Sequence, residues 1–357
     1  MNAPHHSGSA ALTVSLLQAS DLPNVARWDA FVQACPAATF FHRAGWQQVL
    51  STAFGHRTWY FYAELDGRIV AVLPLAQVRS RWFGHTLCSL PFCVYGGIAG
   101  ERADAAAALD REAQQLAVRL GVDHLEYRHR DATAAGQPSA LYATFRQPLH
   151  QLAEQNMQAL PRKQRAMVRK GIAAGLYSTV DDDIDAFFGA YASSVHRLGT
   201  PVFAPRYFRI LKAVFGADCQ FLTVFRHHGR QQESIAAVLV FYFRGEVLPY
   251  YGGGYPRARQ VAGNDFMYWE VMRRATEAGC TLFDFGRSKV GTGAYDFKKN
   301  WGFTPQALHY VYRLNLAKAV PAHHPLNPNY RWLIQAWRRL PLPLANLIGP
   351  HIVRHLG

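Results

Sequence analysis

The stretch Ile235-Ala-Ala-Val-Leu-Val-Phe241, followed by Val247-Leu-Pro-Tyr-Tyr-Gly-Gly-Gly254, decides the fold. Both runs are rich in β-branched and aromatic residues, which favour strands. A helix is expected from about Asn264 to Ala278, ending at Gly279, because glycine is typical of a helix C-terminus. Cys280-Thr-Leu-Phe-Asp-Phe285 then predicts another strand. The order strand, strand, aromatic-glycine turn, helix, strand indicates an α/β unit.

The first half of the chain contains the same order. A strand-like run, Ile69 to Leu75, leads through Leu90-Pro-Phe-Cys-Val-Tyr-Gly-Gly97 into a predicted helix from Ala103 to Leu120. Gly121 ends this helix, and Val122 to Arg128 has the composition of a strand. Two such copies indicate a duplicated α/β domain. The alternative is chance similarity between two generic units.

A chain of 357 residues is long enough for two domains, each with its own core. We expect a disordered N-terminus at residues 1–11, a first domain at 12–150 and a second at 151–316. The remaining residues, 317–357, are predicted to form a Pro-rich tail with an amphipathic basic helix from Asn329 to Leu340.

The composition points to anionic partners and to a cytoplasmic protein. The formal net charge is +14, from 38 Lys and Arg against 24 Asp and Glu, which attracts nucleic acid, CoA, sugar nucleotides or acidic lipids. Five cysteines form neither a CxxC pair nor a metal-ligand spacing, so we expect reduced thiols, no metal site and no permanently bound cofactor. The longest apolar run, Ile235 to Phe243, is too short to span a bilayer.

A basic segment runs from Leu160 to Gly171 and contains no acidic residue. At helical spacing, Arg162, Arg165 and Arg169 share one face, and Lys170 follows. Guanidinium groups bind phosphate in a bidentate manner, so this face is a candidate substrate-binding surface. The alternative is a solvated helix face, which is the usual role of a charge run.

The segment from Asp284 to Phe303 is the main candidate for chemistry. A strand ending in Asp284-Phe-Gly-Arg287 enters a Gly-rich loop and then a mixed polar and aromatic turn. Open α/β sheets place ligands at strand ends of this kind. The alternative is a structural loop whose Asp caps the turn.

Three further features have a functional and a structural interpretation. His196, near a predicted helix end, is either a proton carrier or a cap stabilised by the helix dipole. Tyr251, in the predicted Tyr250–Gly254 turn, either contacts a ligand or belongs to the core. The C-terminal Trp and Arg helix either lies on a membrane surface, which would be the inner membrane, or docks on the protein body.

Four of these segments together carry a family resemblance: LPRKQRAMVRKG, HRLGTPVF, FDFGRS and GTGAYDFKKNWGF. In this order they resemble the FemAB-like proteins associated with PEP-CTERM/exosortase systems. That group is related to the FemX and FemAB aminoacyltransferases and to CelD-like acetyltransferase domains. The resemblance covers roughly Leu12 to Leu316.

The resemblance implies an α/β (α+β) fold of two tandem GNAT-like domains, each a mixed, mostly antiparallel sheet flanked by helices. It also implies acyl or aminoacyl transfer to an amine in exopolysaccharide or cell-envelope biosynthesis. The family's late Phe-Lys pair, which lies near the reacting carbonyl, matches Phe297-Lys298, and its basic segment matches Arg162 to Lys170.

The chain departs from its relatives in two places. It has no heptad run that would form a tRNA-binding coiled coil. It also lacks the Q/R-x-x-G-x-G/A loop of acetyl-CoA-dependent domains, for which Arg257 to Gly263 is a degraded match. Acyl-CoA and aminoacyl-tRNA both remain open as the donor substrate, and the acceptor is a small molecule or is linked to a carrier.

Acyl transfer to an amine needs a proton acceptor, donors for the developing oxyanion and an anchor for the anionic donor. The candidate acceptors are Asp284, Asp296 and His196, and the candidate oxyanion donors are Lys298 and the loop amides. The candidate substrate-binding residues are Arg287, Ser288, Lys289 and Tyr295. The alternative function is a non-catalytic module that binds a sugar nucleotide or RNA. No motif for sequence-specific DNA binding occurs.

Overall fold

A computed structural model describes residues 11–81, 83–132, 141–319 and 331–356. Apart from Ala11, the predicted disordered N-terminus lies outside these residues. The chain forms two compact units. Of the described residues, the first unit contains 11–51, 55–130 and 310–319, and the second contains 52–54, 131–309 and 331–356.

The first unit is built on a seven-stranded sheet of order β1-β2-β3-β4-β6-β15, with β5 paired to β3. The strands are β1 (Thr13–Leu17), β2 (Thr58–Leu65), β3 (Arg68–Ser80), β4 (Gly84–Cys88), β5 (Ala99–Gly100), β6 (His124–His129) and β15 (His309–Leu314). The helices of this part of the chain are α1 (Leu22–Ala34), α2 (Gly45–Phe54) and α3 (Ala103–Leu120). The apolar face of α3 packs on β2 and β3, which places this unit's core between helix and sheet.

The second unit has an eight-stranded sheet of order β13-β7-β12-β11-β10-β9-β8, with β14 also paired to β7. The strands are β7 (Tyr142–Pro148), β8 (Leu176–Asp181), β9 (Cys219–His228), β10 (Gln231–Phe243), β11 (Glu246–Gly254), β12 (Leu282–Asp284), β13 (Ser288–Lys289) and β14 (Pro305–Ala307). Its helices are α4 (Ala153–Ala159), α5 (Arg162–Ala173), α6 (Ile184–Leu198), α7 (Pro205–Phe215), α8 (Gly263–Glu277), α9 (Gly293–Asn300), α10 (Arg331–Arg339) and α11 (Leu342–Val353).

Local sequence explains where the long helices begin and end. The Asp183 carboxylate accepts hydrogen bonds from the backbone N–H groups of Asp185 and Ala186, which caps α6 at its N-terminus. Gly199 ends the same helix with a φ of 78°, a left-handed conformation that favours glycine. Gly121 ends α3 in the same way, as predicted.

Two strands each belong to the sheet of the other predicted domain. β7 was assigned by sequence to the first domain, but it pairs with β12, β13 and β14 in the second sheet. β15 was assigned to the second domain, but it lies beside β6 in the first sheet. The compact units therefore do not follow the predicted boundaries at residues 150 and 316.

Each sheet contains a parallel pair joined by a helix: β4 with β6 around α3, and β11 with β12 around α8. The other pairs among β1–β5 and among β7–β14 are antiparallel. The predicted fold class of two mixed, mostly antiparallel sheets flanked by helices is confirmed. The predicted aromatic-glycine turn is wrong in the second copy, because residues 251–254 continue β11. In the first copy the matching residues, 95–97, lie in a loop.

Gly253 lies on β11 at a point where α6 passes too close to the strand for a side chain. A Cβ atom at this position would lie 2.2 Å from the Ser194 Cβ atom on α6. We expect Gly253→Ala to lower the free energy of unfolding by about 1–3 kcal/mol, since α6 would have to move away from the sheet. Urea denaturation measures this difference.

Gly293→Ala is the matched control for this substitution. Gly293 is the first residue of α9, and no atom lies within 4 Å of the position that its Cβ would take. We expect it to leave the free energy of unfolding unchanged or to raise it by less than about 1 kcal/mol. Equal effects of the two substitutions would show that α6 does not depend on Gly253.

The C-terminal segment contains more structure than the sequence predicts. The predicted helix corresponds to α10, and its first two predicted residues lie outside the described ranges. The sequence Pro341-Leu-Pro-Leu was expected to follow the helix as tail, whereas α11 begins at Leu342. Proline is well tolerated in a first helical turn, because the N–H that it lacks has no partner there. No described helix is long and apolar enough to cross a membrane.

Candidate functional site

In the second sheet, the parallel strands β11 and β12 pair over a short length and then separate. β11 and β12 share only the pairs Glu246–Leu282 and Val247–Phe283. Beyond them, β11 follows β10 as far as Gly254, whereas the chain after β12 follows β7. Since the two strands keep different neighbours, their carboxyl-terminal parts stop pairing and leave an opening at the strand ends.

A bulge lies on the β7 side of this opening. Asp284 pairs with Arg146, and Ser288 pairs with Ala143, so the three residues 285–287 face only two residues of β7. Gly286, at the centre, has a φ of 65°, which a residue with a side chain rarely adopts. Bulges occur preferentially beside active sites, where they redirect side chains.

Asp284 stabilises the bulge from within the sheet. Its side chain is completely buried and accepts hydrogen bonds from the Gly286 backbone N–H at 2.7 Å and from the Thr144 hydroxyl at 3.3 Å. The Arg146 guanidinium pairs with its other oxygen at 3.2 Å and also with Glu246 at 2.5 Å. Both carboxylate oxygens therefore have partners within the protein, and the side chain is not exposed to a substrate. The structure therefore supports the cap interpretation of Asp284 over the proton-acceptor interpretation.

Lys298 holds the bulge from the other side. Its ammonium donates hydrogen bonds to the carbonyl oxygens of Phe285, Gly286 and Arg287, at 2.6, 2.9 and 3.1 Å. An ammonium has three N–H donors, so these three bonds use all of them. Lys298 was expected to donate directly to an oxyanion, whereas here it positions the backbone of the bulge.

Burial lowers the pKa of Lys298 to about 7, and Arg287 adds to this shift while Asp284 opposes it. The ammonium also lies over the rings of Phe145 and Phe285, at 5.5 and 5.8 Å from their centroids. Close to neutral pH, Lys298 is therefore sensitive to small changes in its surroundings.

Five of the predicted site residues gather around β7. The Arg287 guanidinium lies 4.8 Å from the Tyr142 ring centroid, and Tyr295 packs edge-on against Phe145 at 5.2 Å. The other three are Lys298, Ser288 and Lys289, of which the last two pair with Ala143 and Tyr142.

Ser288 and Lys289 each bury a polar atom, Oγ and Nζ, that has no hydrogen-bond partner in the described part of the chain. Successive strand residues point to opposite faces, so Ser288 and Lys289 lie on opposite faces of β13. Burial lowers the pKa of Lys289.

Other predicted residues lie elsewhere in the second unit. The His196 ring bonds to the Trp337 carbonyl oxygen at 3.2 Å, so His196 contacts α10 rather than the bulge. Tyr251 lies in an aromatic cluster with residues of α6 and α7, and its hydroxyl bonds to that of Tyr207 at 3.2 Å. Asp296 is exposed, and two residues along a helix turn by about 200°, so it faces away from the Lys298 side of α9.

The basic segment forms α5, as expected for its helical spacing. Arg162, Arg169 and Lys170 are exposed, while Arg165 is half-buried and donates to the Gln158 carbonyl oxygen at 3.1 Å. The exposed side chains are available to an anionic ligand.

Sequence reasoning missed Arg146 and Thr144, both of which hold Asp284. The only available signal was the alternating Tyr-Ala-Thr-Phe-Arg pattern of β7. Its pairing with β12 spans more than 130 residues of sequence, which no local pattern reports. Within the described ranges, no group of His, Cys, Asp and Glu could hold a metal ion.

Residues 154–299 match the family described as acetyltransferase (GNAT) domain. This region contains the opening between β11 and β12, the bulge and Lys298. No curated protein sequence matches the chain.

Solved structures share the fold over most of the chain. FemX aligns with a TM-score of 0.67 at 13% identity, covering 90% of this chain and 100% of FemX. A tandem GNAT protein from the clavulanic acid biosynthesis pathway, solved without AcCoA, aligns with a TM-score of 0.53 at 15% identity, covering 85% and 98%. The C-terminal domain (DUF2156) of a putative lysylphosphatidylglycerol synthetase from Agrobacterium fabrum aligns with a TM-score of 0.52 at 13% identity, covering 83% and 92%. At these identities the similarity establishes the tandem GNAT fold.

Proposed function

We propose that this protein is an N-acyltransferase that moves an acyl or aminoacyl group onto an amine at the opening between β11 and β12. The observation that carries the proposal is the end of β11–β12 pairing after Val247 and Phe283, next to a braced bulge and within the acetyltransferase (GNAT) region. The reaction is direct: the amine attacks the acyl carbonyl, and the carrier leaves from the tetrahedral intermediate and takes up the proton that the amine loses. No step requires a covalent enzyme intermediate.

The sheet edge at the opening suits an extended donor. Beyond Val247, no described strand pairs with β11 on the β12 side, so an extended ligand can add to this edge through backbone hydrogen bonds. On the facing side, Arg287 and Lys289 supply positive charge. We assign them to the anionic part of the substrate, because both residues are half-buried and the Lys289 Nζ has no hydrogen-bond partner among the described residues, so an anion such as phosphate or carboxylate would supply one.

The N-terminus of α8 is poorly suited to bind the phosphates of CoA. Asp265 lies in the first turn, where its charge opposes an anion, and it accepts a 2.5 Å hydrogen bond from Gln164 of α5. The Gln164–Asp265 hydrogen bond and the contact of Gly171 with Phe266 hold α5 beside α8. The exposed cations of α5 therefore lie near α8. Both acyl-CoA and aminoacyl-tRNA are therefore candidate donors. We assign the exposed cations of α5 to the CoA or tRNA part of the donor.

The proposed setting is cytoplasmic synthesis of exopolysaccharide or cell-envelope precursors, as in PEP-CTERM/exosortase systems. The support is the resemblance of the four sequence segments together with the shared fold. An amino sugar or a precursor with a free amine is the acceptor class that follows from the chemistry.

The test is donor consumption by the purified full-length protein, with panels of acyl-CoAs, charged tRNAs and amine acceptors. We expect amine-dependent consumption of one donor class, and Lys289→Ala should raise the KM for that donor about tenfold by removing a charged contact. Lys299→Ala, an exposed lysine on α9, is the control and should leave KM unchanged.

The exposed cations of α5 also favour a second function, a non-catalytic module for a sugar nucleotide or RNA. Salt-sensitive binding that Arg162→Ala and Arg169→Ala weaken, with no consumption of any donor, would support this module and reject the transferase.

A further inference from the structure

The two C-terminal helices present an apolar surface that faces away from the protein. The inner sides of α10 and α11 dock at the end of α6: the Ile334 side chain lies against Gly199, and Gly349 lies against Val202. The opposite sides expose large apolar side chains: Trp332 and Leu333 on α10, and Leu344, Leu347 and Ile348 on α11. Leu344, Leu347 and Ile348 follow helical spacing, so they form one continuous face of α11.

The same segment carries positive charge with no negative charge. From residue 317 to residue 357 there is no Asp or Glu, while the segment contains Lys318, Arg331, Arg338, Arg339 and Arg354. Arg338 and Arg339 are exposed at the end of α10, directly before α11, and Arg338 also donates to the Leu198 carbonyl oxygen of α6 at 3.1 Å. Apolar side chains and unopposed cations therefore occur together on adjacent helices.

We propose that the α10–α11 surface binds the surface of an anionic lipid bilayer. Leucine and tryptophan side chains insert at the boundary between headgroups and acyl chains, while arginines contact lipid phosphates. With twelve residues, α11 is too short to span a bilayer, which favours a helix lying in the interface. The proposal does not depend on the transferase activity.

Co-sedimentation with vesicles tests the proposal on the full-length protein. We expect binding to vesicles of phosphatidylcholine mixed with phosphatidylglycerol, and weak binding to phosphatidylcholine alone. Leu347→Glu should lower the partition coefficient about tenfold or more, because a charge replaces an exposed leucine that would insert into the bilayer. Replacing both Arg338 and Arg339 by Gln should lower it by about fivefold for each charge.

Val118→Glu is the matched control, since Val118 on α3 is 67% exposed and Leu347 is 68% exposed. It adds the same charge elsewhere and should leave vesicle binding close to that of the wild type. Circular dichroism checks that each variant is folded. Absence of vesicle binding by the wild type would overturn the proposal, as would equal losses for Val118→Glu and Leu347→Glu. Self-association that Leu347→Glu abolishes, without vesicle binding, would instead assign the surface to a second copy of the chain.

Discussion

Lys298→Ala is expected to lower kcat for acyl transfer about 100-fold while changing KM little. The substitution removes the only side chain that donates to all three carbonyl oxygens of the bulge, at residues 285–287, among the described contacts. A backbone segment that shifts by about 1 Å beside a reacting carbonyl typically costs this much in rate. Steady-state kinetics with the donor that the wild type consumes measures the effect.

Lys299→Ala controls for the loss of a lysine from α9. Lys299 is exposed and lies 5.8 Å from the Tyr295 ring centroid, and no hydrogen bond joins it to the bulge in the described structure. We expect its kcat to match that of the wild type. If both variants kept full activity, Lys298 would have no role in positioning the reacting groups.

The pH profile distinguishes two roles for Lys298. Because burial places its pKa at about 7, the charged ammonium disappears as the pH rises through that value. If the ammonium braces the bulge, wild-type kcat falls above pH 7. A kcat that rises through the same range would contradict this role and would make the neutral amine a proton acceptor.

Elements that depend on neighbouring residues could be predicted from the sequence, whereas elements that depend on distant residues could not. Helix ends depend on caps a few residues away, so α3 was located at Ala103–Leu120 as predicted. The membership of β7 and β15 depends on pairing with distant segments, which no local pattern encodes. Glycines 252–254 have the composition of a turn, but they belong to a strand because α6 and its neighbours pack closely on it.

The segment predicted to carry the chemistry could be identified from the sequence, but the contacts of its side chains could not. The segment from Asp284 to Phe303 does contain the bulge and Lys298. Two further facts needed coordinates: Asp284 is buried against Arg146, and Asp296 faces away from Lys298. Spacing in sequence gives no access to burial or to the partners of a carboxylate.

Asp284→Ala is expected to lower the free energy of unfolding by about 3–5 kcal/mol. This carboxylate is completely buried, and removing it leaves the Gly286 N–H and the Thr144 hydroxyl without that acceptor. It also removes one of the two carboxylates that neutralise Arg146, and breaking a buried ion pair costs about this much. The urea midpoint of the second unit measures the change.

Asp296→Ala is the matched control, since Asp296 is an exposed carboxylate in the same segment. It should change the free energy of unfolding by less than about 0.5 kcal/mol, as surface substitutions usually do. Asp284→Asn separates charge from shape, because an amide keeps an acceptor for Gly286 but cannot pair with Arg146. We expect its free energy of unfolding to fall between those of the wild type and Asp284→Ala. If Asp284→Ala were as stable as Asp296→Ala, Asp284 would not support the bulge, and its role as a proton acceptor would have to be considered again.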